Sequence, residues 1–207
     1  MIAIALLLLV CFAVVFYTYV GYACVVGILA TLKRMAKVGM HSIDESFQPQ
    51  VALVVPCFNE GYILHQKVQN SLALNYPAAK LQLVFITDGS TDGSEVLLQQ
   101  YKQVTVLHQP ERKGKAAAEN RAMQLVKADF VVFCDANTTL NADAITKMMR
   151  HFADEKVGAV SGEKRVITSD KNAASSAGEG VYWKYESWLK KQDSDLHTTA
   201  GDRKSVV

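Results

Sequence analysis

Two side chains that can offer oxygen atoms to a metal ion follow an apolar run in the middle of the chain. The run from Phe130 to Cys134 is aromatic and β-branched, which is typical of a strand covered on both faces of a sheet. Asp135 follows it directly, and Asn137 stands two residues later. A carboxylate and an amide oxygen at this spacing can share a hard cation such as Mg²⁺ or Mn²⁺. An isolated Asp-x-Asn also fits a capped turn, so the other polar stretches of the chain must decide.

Two earlier polar stretches also follow apolar runs. The loop from Pro56 to Glu60 can offer backbone amides and a carboxylate to a base or ribose, although Asn59 could simply cap the next helix. Asp88 opens a turn rich in glycine and serine, and its carboxylate can accept hydrogen bonds from a base N–H or a sugar hydroxyl. The glycines allow the backbone to approach a ligand closely. A turn without a ligand is the alternative.

A basic stretch precedes a predicted helix. Arg112, Lys113 and Lys115 stand where that helix begins, and free amides at a helix N-terminus together with fixed cations suit a diphosphate. A solvated basic turn is the alternative. The spacing is not that of a GxxxxGK[ST] loop, and no GxGxxG follows the first strand, which argues against a dinucleotide dehydrogenase. A cation at Asp135, opposite these lysines, would neutralise a diphosphate and polarise it as a leaving group.

Alternating strands and helices position these stretches. The hydrophobic pattern predicts strands over 50–55, 81–86, 104–107, 130–134 and 157–161, with helices over 61–74, 95–101, 115–126 and 142–152. This order predicts an α/β fold with a mostly parallel sheet and right-handed crossovers. All four polar stretches then lie at the carboxyl ends of strands, where such sheets bind ligands. Together they indicate a nucleotide-diphosphate site.

The N-terminal segment is apolar enough to cross a membrane. No charge occurs from Ile2 to Leu32, a run longer than the roughly 20 residues that a bilayer core requires. No basic n-region or small-residue cleavage site marks a signal peptide, and a buried core helix would need a large partner. We therefore predict a membrane anchor over 1–33 and a juxtamembrane linker over 34–49. Lys33, Arg34 and Lys37 follow the span, which predicts a single-pass protein of the plasma (inner) membrane with everything after residue 33 in the cytoplasm.

The C-terminal part has a different pattern. Residues 173–195 carry an apolar stripe at helical spacing, which predicts an amphipathic helix at a membrane surface or over the sheet. The stripe consists of Val181, Tyr182, Tyr185, Trp188 and Leu189. The net charge of +2 over 207 residues says nothing about nucleic acid, but the sequence has no aromatic-basic RNA-binding pattern, so we expect no nucleic-acid partner. The four cysteines form no CxxC pair and are expected to be reduced thiols.

The ordered motifs PCFNE, TDGSTDGS, RKGKAAAEN and FCDAN resemble those of family 2 glycosyltransferases. The resemblance covers about residues 45 to 195 and is strongest to membrane-anchored bacterial members related to cellulose and poly-N-acetylglucosamine synthases. It implies a GT-A (Rossmann-like) fold and inverting transfer from a nucleotide sugar, expected to be a UDP-sugar, to a glycan acceptor. The implied donor-binding residues are Pro56, Asn59, Glu60, Asp88, Lys113, Lys115 and Asp135. Asp135 and Asn137 match the family's metal motif for Mn²⁺ or Mg²⁺, with Asn in the second acidic position.

The resemblance also implies motifs that this sequence does not contain. The family's later Glu-Asp pair, which supplies the general base, and its Gln-x-x-Arg-Trp motif are absent, so no catalytic residue is assigned. We accordingly expect a donor-binding domain over 50–170 and a truncated acceptor-side segment with the amphipathic helix over 171–207. Two functions stay open: a membrane-anchored glycosyltransferase, or a non-catalytic nucleotide-sugar-binding remnant. A sugar nucleotidyltransferase is disfavoured, because its first strand is usually followed by a Gly-rich loop.

Overall fold

The computed structural model describes residues 2–36, 43–163 and 174–196, without the side chains of 174–181. Helices and strands alternate after the N-terminal helices. The chain forms two compact units. The sheet unit comprises residues 43–162, and the helical unit comprises 2–36, 163 and 174–196. The α-helices are α1 (Ile2–Phe16), α2 (Tyr22–Met35), α3 (Gly61–Leu72), α4 (Ser94–Gln99), α5 (Lys115–Met123), α6 (Ala144–Met149) and α7 (Ala174–Leu196). The strands are β1 (Val51–Cys57), β2 (Leu81–Asp88), β3 (Val104–Gln109) and β4 (Phe130–Phe133).

The four strands form one parallel sheet in the order β3-β2-β1-β4. Central β1 is the most deeply buried element, with residues 51–55 at 0% exposure, because it has a strand on either side and a helical layer on each face. One apolar cluster joins the sheet to α3, α4 and α6, and the other joins it to α5 through Ala118 and Ala122. The predicted α/β fold with a parallel sheet is confirmed.

β1 extends further than the sequence predicts. The pattern ends the strand before Pro56, but β1 continues through Pro56 to Cys57 and pairs with β2 over that whole length. The neighbouring strand β4 pairs with β1 only as far as Val54. Pro56 therefore lies beyond that ladder, where its missing N–H removes no bond to β4.

The predicted fifth strand is wrong. Residues 157–161 have no regular structure, and among the described residues no strand pairs with the outer edge of β4. A strand needs a hydrogen-bonded neighbour, and this segment instead begins with a tight turn in which Val157 N–H donates to Asp154 O. Gly158 and Ala159 are exposed and offer little apolar area, so burial does not draw the segment onto the sheet.

The described part of the predicted linker belongs to the sheet unit. Tyr76 Oη donates to Pro49 O at 2.7 Å, and Lys80 Nζ donates to Gln48 O at 2.6 Å. The Phe47 ring packs edge-on against Phe130. Residues 43–49 are thus part of the folded unit, whereas residues 37–42 of the predicted linker, including Lys37, lie outside the described residues.

The helical unit starts with one long helix. A π-helical turn, Tyr17–Gly21, joins α1 to α2, and the continuous helix Ile2–Met35 is the one helix among the described residues that is long and apolar enough to cross a membrane. The predicted C-terminal helix is present as α7, and it contacts α2 and the π-helical turn before it. The Trp188 ring lies against Gly27, and Tyr185 Oη donates to Tyr19 O at 2.6 Å. The predicted position of this helix at a membrane surface or over the sheet stays a prediction.

Candidate functional site

The site lies where the strand order changes direction. From β1 the chain goes to β2 and β3 on one side and then crosses to β4 on the other, so the carboxyl ends of β1 and β4 flank a topological switch point. Open parallel sheets bind ligands at this place, because the connecting loops diverge there and leave a crevice. The Pro56–Glu60 loop follows β1, and Asp135 and Asn137 follow β4.

The segment after β4 presents Asp135 and Asn137 away from the core. Cys134 and Ala136 are buried, with 7% and 4% exposure, while Asp135 is partly exposed and Asn137 is exposed. A hydrogen bond from Thr138 N–H to Asp135 O, 3.1 Å long, closes the turn that contains both. The alternation of buried and exposed residues therefore directs the carboxylate and the amide outward, as a shared cation would require.

Lys115 contacts the Asp135 carboxylate directly. Its Nζ lies 2.5 Å from Asp135 Oδ1 and 3.7 Å from Glu119 Oε1, one turn along α5. Partial burial alone would lower the pKa of Lys115, but the hydrogen bond and charge of Asp135, with a smaller contribution from Glu119, raise it above its ordinary value. The ammonium at the first residue of α5 thus lies beside the carboxylate of the predicted metal motif, as the sequence suggested.

Asp88 is an internal anchor of the basic loop. At the end of β2 it is only 4% exposed, and its Oδ2 accepts hydrogen bonds from Lys113 N–H at 3.0 Å and Gly114 N–H at 2.7 Å. Arg121 Nη1 lies 3.6 Å from Asp88 Oδ1, an atom that has no hydrogen-bond partner in the described structure. Asp88 therefore positions the loop that carries Lys113. Its predicted contact with the nucleotide stays a prediction, for which the second oxygen is the candidate atom.

Four loops, numbered in chain order, follow β1, β2, β3 and β4 at this edge of the sheet. Asn59 joins the first two of these loops instead of capping α3. With a left-handed φ of 52°, its N–H donates to Ser90 Oγ at 3.2 Å, and its Oδ1 accepts from Thr91 N–H at 2.8 Å. The first N–H of α3, on Gly61, is bound by Asp92 Oδ2 at 2.8 Å. The start of α3 is thus stabilised by a carboxylate from the distant turn, so the two loops form one surface at the ends of β1 and β2.

Glu60 contributes a second carboxyl group near Asp135. Burial is the main cause that raises the pKa of Glu60, and the charges of Asp135 and Asp92 raise it further, against the lowering effects of a backbone bond and Lys115. The charges of Asp135 and Lys115 both act on the pKa of Glu60, in agreement with the position of the first, third and fourth loops at one edge of the sheet. Pro56 lies within β1, directly before this loop, and its predicted place around the nucleotide stays a prediction.

Three features of the site are not evident from the sequence. The Arg112 guanidinium stacks over the Phe58 ring at 3.8 Å and thereby connects the first and third loops. Arg121 pairs with Asp88 from one turn inside α5. Lys67 is buried within α3 beside Cys134. Only Lys67 can be noticed in the sequence, because it is a charge on the apolar stripe of a helix. The other two pairs join residues that are more than 30 positions apart in the sequence, and no local pattern indicates that they meet.

The donor set fits a cation that also binds phosphate. Among the described residues no group of three His, Cys, Asp or Glu side chains could hold a metal ion by itself. Asp135 and Asn137 supply hard oxygen atoms, which suit Mg²⁺ or Mn²⁺, and such ions often complete their coordination with substrate phosphates and water. The chemistry of the two residues is thus compatible with a metal bound together with a diphosphate.

Comparison with known proteins agrees with this geometry. The family model described as "Glycosyl transferase family 2" matches residues 52–203. A poly-β-1,6-N-acetyl-D-glucosamine synthase of Staphylococcus aureus is 32% identical over 120 residues, covering 56% of this chain and 29% of the relative. An N-acetylglucosaminyltransferase of Neorhizobium galegae is 27% identical over 146 residues, covering 68% of this chain and 34% of the relative. The chain thus spans about a third of the length of these curated relatives.

A solved structure shows the same fold. The mannosyltransferase PcManGT from Pyrobaculum calidifontis, in complex with GDP-Man and Mn²⁺, superimposes with a TM-score of 0.63 at 26% identity, covering 74% of this chain and 46% of that one. The sheet unit therefore has the GT-A fold. With a matched family model over most of its length and the four motifs gathered at one sheet edge, the chain belongs to glycosyl transferase family 2.

Proposed function

We propose that this chain is the donor-binding part of a membrane-anchored glycosyltransferase that transfers a sugar from a nucleotide diphosphate to a glycan with inversion. The observation that carries the proposal is the contact between Lys115 and Asp135 at the switch point, 2.5 Å long. A cation and a carboxylate placed together at the ends of β1 and β4 can bind, respectively, a diphosphate and the metal that accompanies it.

The base and ribose are proposed to bind at the first two loops. Asp88 Oδ1 is a buried acceptor without a hydrogen-bond partner, and a base that brings an N–H to it would satisfy it. Uracil has such a group at N3, as other bases have elsewhere, so this atom is compatible with a UDP-sugar and the choice of base rests on the relatives. Since the two curated relatives are named for N-acetylglucosamine transfer, UDP-N-acetylglucosamine is the first donor to test.

The diphosphate is proposed to bind between α5 and the turn after β4. Lys113 is exposed, and the first residues of α5 present free N–H groups, so this end of the helix attracts anions. Asp135 and Asn137 would hold the metal. When bound, the metal supplies positive charge that stabilises the departing diphosphate. Lys115 is close enough to Asp135 to exchange that carboxylate for a phosphate oxygen.

The transfer itself is a single displacement in this proposal. An acceptor hydroxyl oxygen forms a bond to the anomeric carbon while the bond from that carbon to the diphosphate oxygen breaks, which inverts the configuration. The residues described above bind the donor and stabilise the leaving group. None of the described residues is assigned as the base that takes the proton of the acceptor hydroxyl.

Membrane anchoring is proposed from the long N-terminal helix. Its 34 residues extend about 51 Å, more than the roughly 30 Å of a bilayer core. Lys33 and Arg34 end the helix, so the positive-inside rule places the sheet unit in the cytoplasm. Single cysteines at positions 1 and 45, in a chain without other cysteines, test this with a membrane-impermeant maleimide. We expect labelling from outside at position 1 alone, and labelling at position 45 alone would reverse the topology.

The donor site is tested by titrating UDP calorimetrically in the presence of MnCl₂ or EDTA. We expect Mn²⁺ to tighten UDP binding at least fivefold, because the metal would share its ligands with the diphosphate. Asp135→Asn should remove this effect, and Asn137→Asp should strengthen it by restoring a second negative charge. Asp129→Asn is the matched control, since Asp129 is an exposed carboxylate at the opposite end of β4.

Two results would contradict the proposal in different ways. If UDP binds equally well with Mn²⁺ and with EDTA, the metal site is wrong and Asp135 is a residue that caps the turn. If UDP does not bind in either condition, the nucleotide site is wrong as well. Binding of UDP-N-acetylglucosamine without transfer to any glycan would favour the non-catalytic alternative.

A further inference from the structure

Lys67 is a buried charge that the proposed donor site does not use. It lies on the inner face of α3 and is 3% exposed, in a stripe with Leu64, Val68 and Ser71. Burying an ammonium group is unfavourable by several kcal/mol unless nearby atoms accept its hydrogen bonds. An apolar side chain could fill this position without that cost. The hydrogen-bond partners of Lys67 indicate what the lysine does there.

The two partners of Lys67 flank the proposed metal ligands. Its Nζ donates to Cys134 Sγ at 2.9 Å and to Thr138 O at 2.6 Å. Cys134 directly precedes Asp135, and Thr138 directly follows Asn137. One ammonium group thus bridges the two ends of the short segment that contains both ligands, and it does so from a rigid helix.

Asn70, one turn further along α3, holds the continuation of the same segment. Its Nδ2 donates to Leu140 O at 2.8 Å, and its Oδ1 accepts from Leu140 N–H at 2.9 Å. This pair of bonds fixes the backbone of Leu140 as a neighbouring strand would. Lys67 and Asn70, here named the α3 clamp, therefore attach residues 134–140 to the side of α3 at three points.

We propose that the α3 clamp positions the metal-binding turn, with Lys67 as its principal residue. This inference rests on the proposed function, since it assigns Asp135 and Asn137 to a metal. The two hydrogen bonds of Lys67 reach the Cys134 thiol and the Thr138 carbonyl, so it fixes residues 134 and 138, on either side of the two ligands. The buried Ala136 between the ligands keeps both of them directed outward. Residues that orient metal ligands in this way commonly affect metal affinity by 10- to 100-fold.

The test compares Lys67→Met with the parent as full chains in detergent. Methionine fills a similar volume but donates no hydrogen bond. We expect the Mn²⁺ concentration for half-maximal tightening of UDP binding to rise about tenfold. UDP affinity in EDTA should change less than twofold, because Asp88, Lys113 and the first two loops are held by other bonds. A general loss of structure would weaken both measurements, so the difference between them separates positioning from folding.

Three further variants sharpen the result. Lys67→Gln keeps a neutral amide N–H₂ donor group and should give a smaller shift than Lys67→Met. Asn70→Ala removes both bonds to Leu140 and should shift the Mn²⁺ requirement in the same direction, and it decides the question if Lys67→Met fails to fold. Lys80→Met is the matched control, because Lys80 Nζ also donates to a backbone carbonyl at 2.6 Å, on Gln48, before the first strand.

The proposal is overturned if Lys67→Met folds and keeps the Mn²⁺ requirement of the parent. It is also overturned if Lys80→Met shifts that requirement as much as Lys67→Met does. A parent protein whose UDP binding ignores Mn²⁺ would refute the metal site itself, and the clamp with it. The first two failures leave the proposed function intact, so the outcomes are distinguishable.

Discussion

Two apolar segments of this chain, α1 and β1, have opposite environments. The sequence of α1 contains no charged residue, and neither does that of β1. Yet no residue of α1 is buried, while residues 51–55 of β1 are completely buried. Hydrophobic side chains thus predict that a segment leaves water, but not what replaces the water. For β1 the replacement is the protein itself; for α1 we propose that it is lipid.

The difference follows from the neighbours that each segment has. β1 lies between β2 and β4, and its two faces contact different apolar clusters, so each side chain meets others of the same unit. α1 contacts no apolar cluster among the described residues, and its π-helical continuation leads into α2, whose Ala23, Val26 and Ala30 are buried. The apolar side chains of β1 are therefore covered within the sheet unit, whereas those of α1 form an apolar surface that the described residues do not cover.

The largest difference in the free energy of unfolding is expected between two aromatic truncations, one in β2 and one in α1. Phe85→Ala in β2 should lower the free energy of unfolding of the sheet unit by about 3–5 kcal/mol, since Phe85 is fully buried. Phe12→Ala in α1, where the side chain is 69% exposed, should leave it unchanged in detergent. Hydrogen exchange of the β1 and β2 amides measures both. Equal losses would mean that α1 contributes to the stability of the sheet unit, and the comparison would fail.

A somewhat smaller loss is expected at the boundary between core and site. Asp88→Ala removes the acceptor of two backbone N–H groups and leaves Arg121 without its partner. We expect a loss of roughly 2–3 kcal/mol, below the usual 3–5 for a buried pair because Arg121 is partly exposed. UDP binding should weaken too. Asp88→Asn, which keeps an acceptor oxygen, should lose less stability, and unchanged UDP affinity in both variants would make Asp88 a purely structural residue.

Two glycines of the same turn offer a matched pair. Gly89 has a φ of +69°, and a Cβ there would lie 2.7 Å from the backbone nitrogen of Arg112. Gly93 has a φ of +80° but open space around it. Gly93→Ala should therefore lower the free energy of unfolding by about 1 kcal/mol through backbone strain alone, and Gly89→Ala by about 2 kcal/mol or more. Urea midpoints of the two variants check this order, and equal values would show that the loop moves freely away from Gly89.

The smallest effect is expected at Glu60 and depends on pH. Because burial raises the pKa of Glu60, the folded state favours the protonated form. Its stabilising contribution is present below the ordinary pKa of about 4.3 and is lost as the pH rises through the raised value. Glu60→Gln should therefore increase the free energy of unfolding slightly at pH 7, by about 0.5 kcal/mol or less, and this advantage should shrink towards pH 4. Urea unfolding of the parent and the variant at both pH values measures the difference. A variant that is less stable at pH 7 would contradict this sign.

The order and type of most elements could be predicted from the sequence. β1, β2 and β4 contain continuous apolar runs, and the helices between them repeat apolar residues at helical spacing, so local pattern and burial agree. The fifth strand is absent because Gly158 and Ala159 offer little apolar area and because no strand among the described residues pairs with the outer edge of β4. A strand is defined by a hydrogen-bonded partner, which no local pattern can supply.

The location of the four loops of the candidate site could also be predicted, because parallel strands bring their carboxyl ends to one edge of the sheet. The sequence alone determined that Asp88, Lys115 and Asp135 follow or precede elements at that edge, and that residues 2–32 are apolar enough to leave water. Only the tertiary structure decided which atoms meet. It bound Asp88 to the loop of Lys113, joined Asn59 to Thr91, and placed Lys67 behind Cys134. Those contacts join residues 25 to 67 positions apart, and their distances depend on how the helices pack on the sheet, which no spacing along the chain encodes.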